Sequence, residues 1–498
     1  VGHVEVEHKY DADADFGLPE LSGLPGVAAV GEARSHQLHA TYFDTDDLRL
    51  SARGITLRRR RGGDDAGWHL KMPVGPDSKS ETRAPLGRAN VVPARLANLV
   101  AAYTRGARLR PVATLETERT VLPLLDEDGA LLAEIADDAV TGRVLRDGSE
   151  EDGSEENTAS WREIEVELGA GGPDLLKAAG KRLRKAGARR SASSSKLGRL
   201  LDGAPQRAAS SQAATGPNAS AGEAVQAYLA DQVAALLKYD PKARLAEEDA
   251  VHKMRVAVRR IRSALQSCRP LLARERTDPL RPELKWLADV LGEVRDLEVL
   301  RMRFTARLDG LGTGDAGREW LDELVRKEKS AYRRLNAALK QPRYFALLDA
   351  LEALVADPPL TDRAARRADK ELPRIVVRAW RRMERAHAAI AAAEDADEAR
   401  HETRKAAKRA RYAAELAAPV LGAAATRTAR DAKSVQEAFG AYQDGVIATA
   451  HLREIAARLR TPEEAFTVGA VYGAERCDAQ RALAGLERAW ERIRKPSF

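Results

Sequence analysis

Cysteine is almost missing from these 498 residues: Cys268 and Cys477 are the only two, far apart in the chain. That excludes a disulfide framework and a thiolate metal site, and it fits a reducing compartment, with the cytoplasm as the expected location. Aromatic residues are scarce as well, at 5%. A surface that stacks unpaired bases needs aromatic faces among its cations, so single-stranded nucleic acid is a poor match. No apolar run approaches the length of a membrane span, and no charged-then-apolar leader opens the chain, so neither a membrane anchor nor an export signal is expected. What is plentiful is charge: 32% of residues are Asp, Glu, Lys or Arg, beside 44% apolar, for a net +7. The net is modest, but the basic residues cluster, and clusters point to a polyanionic partner. A chain this long exceeds one hydrophobic core, so two or three domains are expected.

Up to about residue 200 the pattern is one of short strands separated by turn residues. The predicted strands are Val4–Lys9, Gln37–Phe43, Ile55–Arg61, Trp68–Lys71, Lys79–Leu86, Val112–Leu124, Leu131–Asp137, Ala139–Leu145 and Trp161–Leu168. Helices fit Val92–Tyr103 and Pro173–Ala186. Alternate side chains of a strand face opposite ways. Glu5, Glu7 and Lys9 therefore share a face, as do Arg58 and Arg60, Lys79, Glu81 and Arg83, and Glu163, Glu165 and Glu167, while Lys71 points one way with His69 beside it. Ile55, Leu57, Leu70, Ile164, Val166 and Leu168 take the other face. An open antiparallel sheet with its charged face in water produces this pattern. So does a closed barrel with a charged lumen, in which Arg and Lys rows bind phosphate oxygens and carboxylate rows hold Mg²⁺ or Mn²⁺. Periodicity leaves both open. The acidic stretch Asp147–Glu156 reads as a solvated loop.

Glu5-x-Glu7-x-Lys9 resembles the ExExK signature of the CYTH domain, the triphosphate tunnel metalloenzyme family. Further matches follow in the family's order: Tyr42-Phe43-Asp44-Thr45, Leu57-Arg58-Arg59-Arg60, Leu70-Lys71, Glu81-Thr82-Arg83, Arg119, Glu134 with Asp137, Glu163 to Glu167, and Ser195-Lys196. The resemblance implies a closed antiparallel tunnel that hydrolyses triphosphate-containing substrates with a divalent metal; a few relatives are adenylate cyclases. It implies metal ligation by Glu5, Glu7, Asp137, Glu165 and Glu167. Triphosphate binding would fall to Lys9, Arg58, Arg60, Lys71, Arg83, Arg119 and Lys196, with Lys9, Glu165 and Lys71 as the catalytic residues. Thr117 stands where relatives often carry a second inward cation, and Glu118 should face out.

Residues 203–221 are small, polar and without apolar periodicity, which describes a flexible linker. Beyond it the pattern is helical throughout, and it repeats. His252 is followed by Arg255, Arg259 and Arg262, and His401 by Arg404, Lys408 and Arg411, both at offsets of +3, +7 and +10. On a helix those four side chains fall within an arc of about 80°. Arg295-Asp296 and Gln443-Asp444 follow at nearly the same distance, each after a glycine-containing stretch, Leu291-Gly292 and Phe439-Gly440. Two duplicated bundles are the natural reading. One basic stripe is usually a solvated face, but two with the same offsets can line one positive channel. The neighbours at +3 and +7 are cations, where a metal site would place carboxylates, Cys or His, so phosphate is preferred over metal. Trp286, Trp380 and Trp490 read as core. These runs look like the CHAD domain, the conserved histidine α-helical domain, and the resemblance implies binding of inorganic polyphosphate in a basic channel. Lys285, Lys433, Arg374 and Arg378 are candidates to extend it, although Lys433 fits a solvated face equally well.

The resulting fold class is multidomain α+β: an N-terminal closed antiparallel tunnel barrel with peripheral helices, and C-terminal all-α duplicated bundles. The expected division is a CYTH-like domain over 1–202, a linker over 203–221, and a CHAD-like domain over 222–498 whose halves meet near residue 360. The expected activity is a Mg²⁺- or Mn²⁺-dependent triphosphatase acting on inorganic triphosphate or polyphosphate ends, joined to a polyphosphate-binding domain. Polyphosphate granules are the corresponding partner, with neither membrane nor nucleic acid. A non-catalytic, granule-targeting binding protein and an adenylate cyclase are the alternatives.

Overall fold

The computed structural model describes residues 3–75, 77–145, 158–201, 218–312 and 318–498. The loop expected at Asp147–Glu156 and all but the end of the expected linker lie outside the described residues. The chain divides into two compact units, Val1–Ala208 and Ala209–Phe498.

The first unit contains strands β1 (His3–Ala12), β2 (Ala29–Val30), β3 (Arg34–Asp44), β4 (Thr56–Arg61), β5 (Gly67–Gly75), β6 (Ser78–Ala84), β7 (Arg110–Leu125), β8 (Leu131–Val144), β9 (Thr158–Leu168) and β10 (Arg189–Arg190). Its helices are α1 (Ala94–Thr104), α2 (Pro173–Lys185) and α3 (Lys196–Leu200). Antiparallel pairing runs in the order β1-β6-β5-β4-β3-β7-β8-β9, and β9 pairs back onto β1, so eight strands close a barrel. Closure converts the shared charged face into a lumen and removes the open-sheet alternative. The two strands expected at Leu131–Asp137 and Ala139–Leu145 are one, β8. Asp137-Asp138 resembles a break in the apolar pattern, yet each aspartate finds an arginine on the neighbouring strand, Arg162 and Arg119 respectively.

The outer face of β1, β8 and β9 is apolar and is covered by α2, which packs Leu175, Leu176, Ala179 and Leu183 against Tyr10, Ile135, Ile164 and Val166. Each such side chain contributes about 1.5–3 kcal/mol on full burial. Pro173 opens α2, Asp174 lies in its first turn, and Arg182, Arg184 and Lys185 lie in its last, matching the helix dipole at both ends. Gly180 is required where α2 crosses β1, because any Cβ there would overlap the Tyr10 hydroxyl. Farther round the barrel, Leu57, Leu70 and Trp68 are fully buried, and the Trp68 and Phe43 rings lie 4.8 Å apart. At one end Leu197 of α3 joins Ala40, Tyr42, Val112, Ala113, Leu115 and Val140 in an apolar plug.

The second unit is helical: α4 (Ala221–Arg244), α5 (Ala250–Ser267), α6 (Arg274–Thr277), α7 (Leu280–Leu311), α8 (Glu319–Ala338), α9 (Pro342–Ala356), α10 (Ala368–Ala388), α11 (Ala396–Leu421), α12 (Ala423–Ala456) and α13 (Pro462–Glu491). Reciprocal Ser–Glu and Thr–Glu caps start α4 at Ser220 and α13 at Thr461. The two stripe helices, α5 and α11, pack on one another. Leu300 and Phe304 of α7, Trp320 of α8, Leu452 of α12 and Val471 of α13 share one core. Of the tryptophans expected inside, Trp380 is buried, Trp490 stacks on His387, and Trp286 lies beneath the Arg343 guanidinium at its edge. Among the described residues no helix is long and apolar enough to cross a membrane.

Candidate functional site

The barrel encloses a cavity of about 390 Å³, and strand parity decides its lining. β1 contributes Glu5, Glu7 and Lys9; β4 contributes Arg58 and Arg60; β5 and β6 contribute Lys71, Lys79, Glu81 and Arg83. Arg119 enters from β7, Glu134 from β8, Glu165 and Glu167 from β9, and Lys196 from α3. Every residue expected in the tunnel is there except Asp137. Asp137 lies three positions beyond Glu134, so it has the opposite parity and faces out, where Arg162 grips it at 2.7 and 2.9 Å. The inward acid is Asp138, fully buried and bound by Arg119 at 2.6 and 2.7 Å. Thr117 does face inward, beside Arg119 and Lys196, and Glu118 is outside, bonded to Gln37.

Within the tunnel the two signs neutralise one another. The Lys196 ammonium lies 2.8, 2.7 and 2.7 Å from Asp138, Glu163 and Glu165. The Ser195 hydroxyl caps α3 by accepting from the Gly198 N–H at 2.9 Å, which aims that lysine inward. Glu165 also accepts from Lys9 and, at 2.6 Å, from Arg119. Burial alone would raise the Glu165 carboxyl, but Lys196, Lys9 and Arg119 hold it well below the usual range. Glu7 behaves alike: burial opposes ionisation, and Lys9 and Lys79 outweigh it, leaving the group at about 2. Lys71 binds Glu5. Arg58 reaches the Tyr42 hydroxyl at 3.4 Å and Arg60 binds Asp65, yet among the described residues the Nε–H groups of both arginines are buried without a partner. A buried donor left so costs about 1–3 kcal/mol, and it is ready for an anion.

Glu167 is the exception among the acids. It makes no ion pair among the described residues, and burial, with Glu5, Glu165 and Glu7 nearby, raises it to about 7 against the pull of Lys71. It is paired in register with Glu7 on one side and Glu134 on the other. An under-compensated carboxylate suits a hard divalent cation, and Glu167 is the one such acid here, with Glu5, Glu7 and Glu165 near enough to raise it. Oxygens of Asp138, Glu163 and Glu165 also converge within 4.8 Å of one another, but Lys196 already stands at their focus.

In the helical unit, α5 carries His252, Arg255, Arg259 and Arg262, and α11 carries His401, Arg404, Lys408 and Arg411. The two rows repel each other across the α5–α11 packing. Burial lowers Lys408, and Arg404, Arg259 and Arg255 press it further, to about 7. Arg259 is lowered by burial and by Arg255, Arg404 and Arg411, against the opposing Tyr412. Each half also holds an arginine in the same way. Arg255 lies over Gly292 with Asp296 at 3.4 Å, and Arg404 over Gly440 with Asp444 at 3.2 Å. A Cβ at Gly440 would crowd the Arg404 guanidinium, at 3.2 Å, while one at Gly292 would only touch that of Arg255, at 3.5 Å. Arg411 binds Glu415 at 2.6 Å, and Arg262 responds to Asp289 and Arg281. Arg259 Nε, Arg404 Nε and His401 Nδ1 are buried without partners. Lys285 and Lys433 form exposed one-turn ion pairs with Asp289 and Glu437, Arg374 joins Arg363 and Arg366 around buried Glu371, and Arg378 is exposed.

Sequence alone missed Asp138, which parity counted from Glu134 would have found, and Tyr42, which was quoted only within a motif. Asp65 lies in a turn without periodicity and gave no signal. Asp44 of the same motif proves to be structural: its buried carboxylate accepts from the Leu50 and Ser51 amides at 2.9 and 2.8 Å.

Comparison with known proteins matches a CYTH domain to residues 3–200 and a CHAD domain to residues 227–453. The uncharacterized protein Rv2226 of Mycobacterium tuberculosis is 37% identical over 514 residues, covering 99% of this chain and 97% of its own length. Among solved structures, PptA from Streptomyces chartreusis is 22% identical with a TM-score of 0.47, over 55% of this chain and 100% of its own. The CHAD domain from the plant Ricinus communis is 24% identical with a TM-score of 0.47, over 58% and 97%.

The charge on Glu167 gives a test without substrate. Its folded value of about 7 lies above the ordinary 4.5, so the folded state binds this proton more tightly and stability falls as pH rises through that window. Thermal unfolding in chelator should show Glu167→Gln gaining on the wild type between pH 4.5 and pH 7. Identical pH slopes for the two proteins would contradict the assignment.

Proposed function

Because the chain belongs to the proteins that carry a CYTH domain followed by a CHAD domain, we propose that its barrel is a metal-dependent triphosphatase for inorganic triphosphate or polyphosphate ends, and that its helical unit binds polyphosphate. CYTH domains are triphosphate tunnel enzymes, and the observation that carries the reading here is a closed lumen with both a basic and an acidic wall. A bound Mg²⁺ or Mn²⁺ on Glu5, Glu7, Glu165 and Glu167 would polarise the terminal phosphoryl group and lower the pKa of the attacking water.

The chain's own residues do the rest. Arg58 and Arg60 bring N–H donors that lack partners to the phosphate oxygens. Lys9, Lys71, Arg83, Arg119 and Lys196 exchange carboxylate partners for phosphate and neutralise its charge in substrate and transition state alike. Glu165 stands ionised among these cations and is placed to orient the attacking water. The described lining is mostly charged, with Leu38 and Val121 as its aliphatic members and His36 and Tyr42 as its rings, so it favours a compact polyanion such as inorganic triphosphate over ATP. In the helical unit, Arg259 and Lys408 are partly buried cations with no ion pair among the described residues, and they suit a polyanion that supplies the missing charge. Association with polyphosphate granules would follow.

Two measurements test this reading. Glu5→Gln and Glu7→Gln should each lower Mg²⁺-dependent phosphate release from triphosphate by more than about 100-fold without unfolding the barrel; full activity in both, or cyclic AMP formed from ATP, would overturn it. The double replacement Arg255→Ala/Arg259→Ala should weaken long-chain polyphosphate binding more than tenfold, since each charge-assisted contact is worth about 1.5–3 kcal/mol. Arg326→Ala/Arg488→Ala, at exposed positions, should leave it unchanged. Wild-type affinity should also fall steeply with salt. Salt-independent binding, or equal losses in the two double variants, would make the stripes solvated faces.

A further inference from the structure

Beside the triphosphate cations lies a histidine that the proposed chemistry does not use. β5 directs His69 to the same face as Lys71, and cross-strand pairing places it opposite Arg58 of β4 and Arg83 of β6. Its side chain and that of Glu81 are each 1% exposed. Nδ1 is 2.8 Å from Glu81 Oε1, and Nε2 is 2.9 Å from the Asp65 carbonyl oxygen.

Hydrogen-bond valence restricts what this pair can be. A carbonyl oxygen only accepts, so Nε2 must carry a proton. If Nδ1 were bare and Glu81 ionised, two lone pairs would face each other at 2.8 Å in a buried site. A proton therefore lies between Nδ1 and Oε1 and ties the imidazole to the carboxylate. Glu81 is fixed by that bond, and its remaining contacts go to substrate-binding cations: Arg83 through Oε2, and Lys71 at 3.8 Å through Oε1. The residue that receives the other ring nitrogen, Asp65, grips Arg60 with its carboxylate and lies 3.9 Å from Arg83. One imidazole thus braces the carboxylate behind two phosphate-binding cations and the turn behind a third.

We propose that His69 is a positioning residue of the triphosphate site, acting through Glu81 to hold Lys71 and Arg83. The inference rests on the triphosphatase reading of the barrel. Loss of the brace loosens cations that bind substrate and transition state alike, so it raises KM and spares kcat.

The test is steady-state hydrolysis of inorganic triphosphate with Mg²⁺ by the full chain. His69→Ala should raise KM about tenfold, the size expected when an outer-shell partner is lost, with kcat within about twofold. His69→Asn and His69→Gln separate the two hydrogen bonds, because an asparagine amide nitrogen falls near the Nδ1 position and a glutamine one near Nε2. Asparagine should restore most of the lost affinity and glutamine little of it, a difference that mere support of the fold would not produce. If the alanine variant does not fold, the asparagine and glutamine comparison decides alone. An unchanged KM in His69→Ala, or better rescue by glutamine, overturns the inference while leaving the triphosphatase reading in place. A wild-type protein that neither binds nor cleaves triphosphate overturns both.

Discussion

One ammonium group holds the tunnel together. Lys196 lies within 2.8 Å of Asp138, Glu163 and Glu165, in a space where an uncompensated carboxylate would cost several kcal/mol. Closing eight strands around a charged lumen requires that most of its buried acids find a base, Glu167 being the exception, and the barrel's details follow from that need. The short α3 brings Lys196 in, Ser195 caps it, and the apolar plug around Leu197 anchors it. Arg119 and Lys9 take the remaining valences of Glu165. The same pairing that steadies the tunnel would make it receptive. On the proposed reading, a triphosphate would replace the carboxylates as partner of the cations, and a divalent cation would replace the cations as partner of the carboxylates, so neither wall would be left bare.

The helical unit divides its charges differently. Where it must bury ions for packing, it compensates them closely: Glu475 is fully buried between Arg303 and Arg307, and Asp240 between Arg244 and Tyr344. On the facing stripes of α5 and α11 it leaves cations crowded. Asp296 and Asp444 answer only one arginine in each half, and Lys408 is pushed to about 7 by its like-charged neighbours. Such an arrangement costs stability in the free protein and gains it back from a polyanion, which is the physical case for reading those rows as a binding surface.

Much of this was legible from residue spacing. The alternation of Glu5, Glu7 and Lys9, and of Arg58 with Arg60, places charge on one strand face, because side-chain parity needs no tertiary information. Closure was not legible, since an open sheet has the same parity; it is the pairing of β1 with β9 that decides. Asp137 and Asp138 show how narrow the margin is: one step along a strand exchanges a lumen ligand for an outer partner of Arg162. His69 and Asp65 could not be placed, because their role depends on a turn meeting a strand. The basic stripes were visible as repeated offsets, and the glycines and aspartates that hold Arg255 and Arg404 lay within the quoted runs, yet their clamping role needed coordinates. The candidate extensions Lys285 and Lys433 each pair with a carboxylate one helical turn away, a partnership that spacing alone could have suggested.

Compensation of the tunnel acids by Lys196 can be measured directly by native-state hydrogen exchange on the β8 and β9 amides, comparing Lys196→Met with the wild type in chelator at neutral pH. Removing one partner from a buried ionic cluster should lower the opening free energy of those strands by about 3 kcal/mol or more, while protection in the helices of the second unit stays unchanged. Equal or greater protection of β8 and β9 in the variant would contradict the account, because it would mean that the three carboxylates do not depend on the lysine among them.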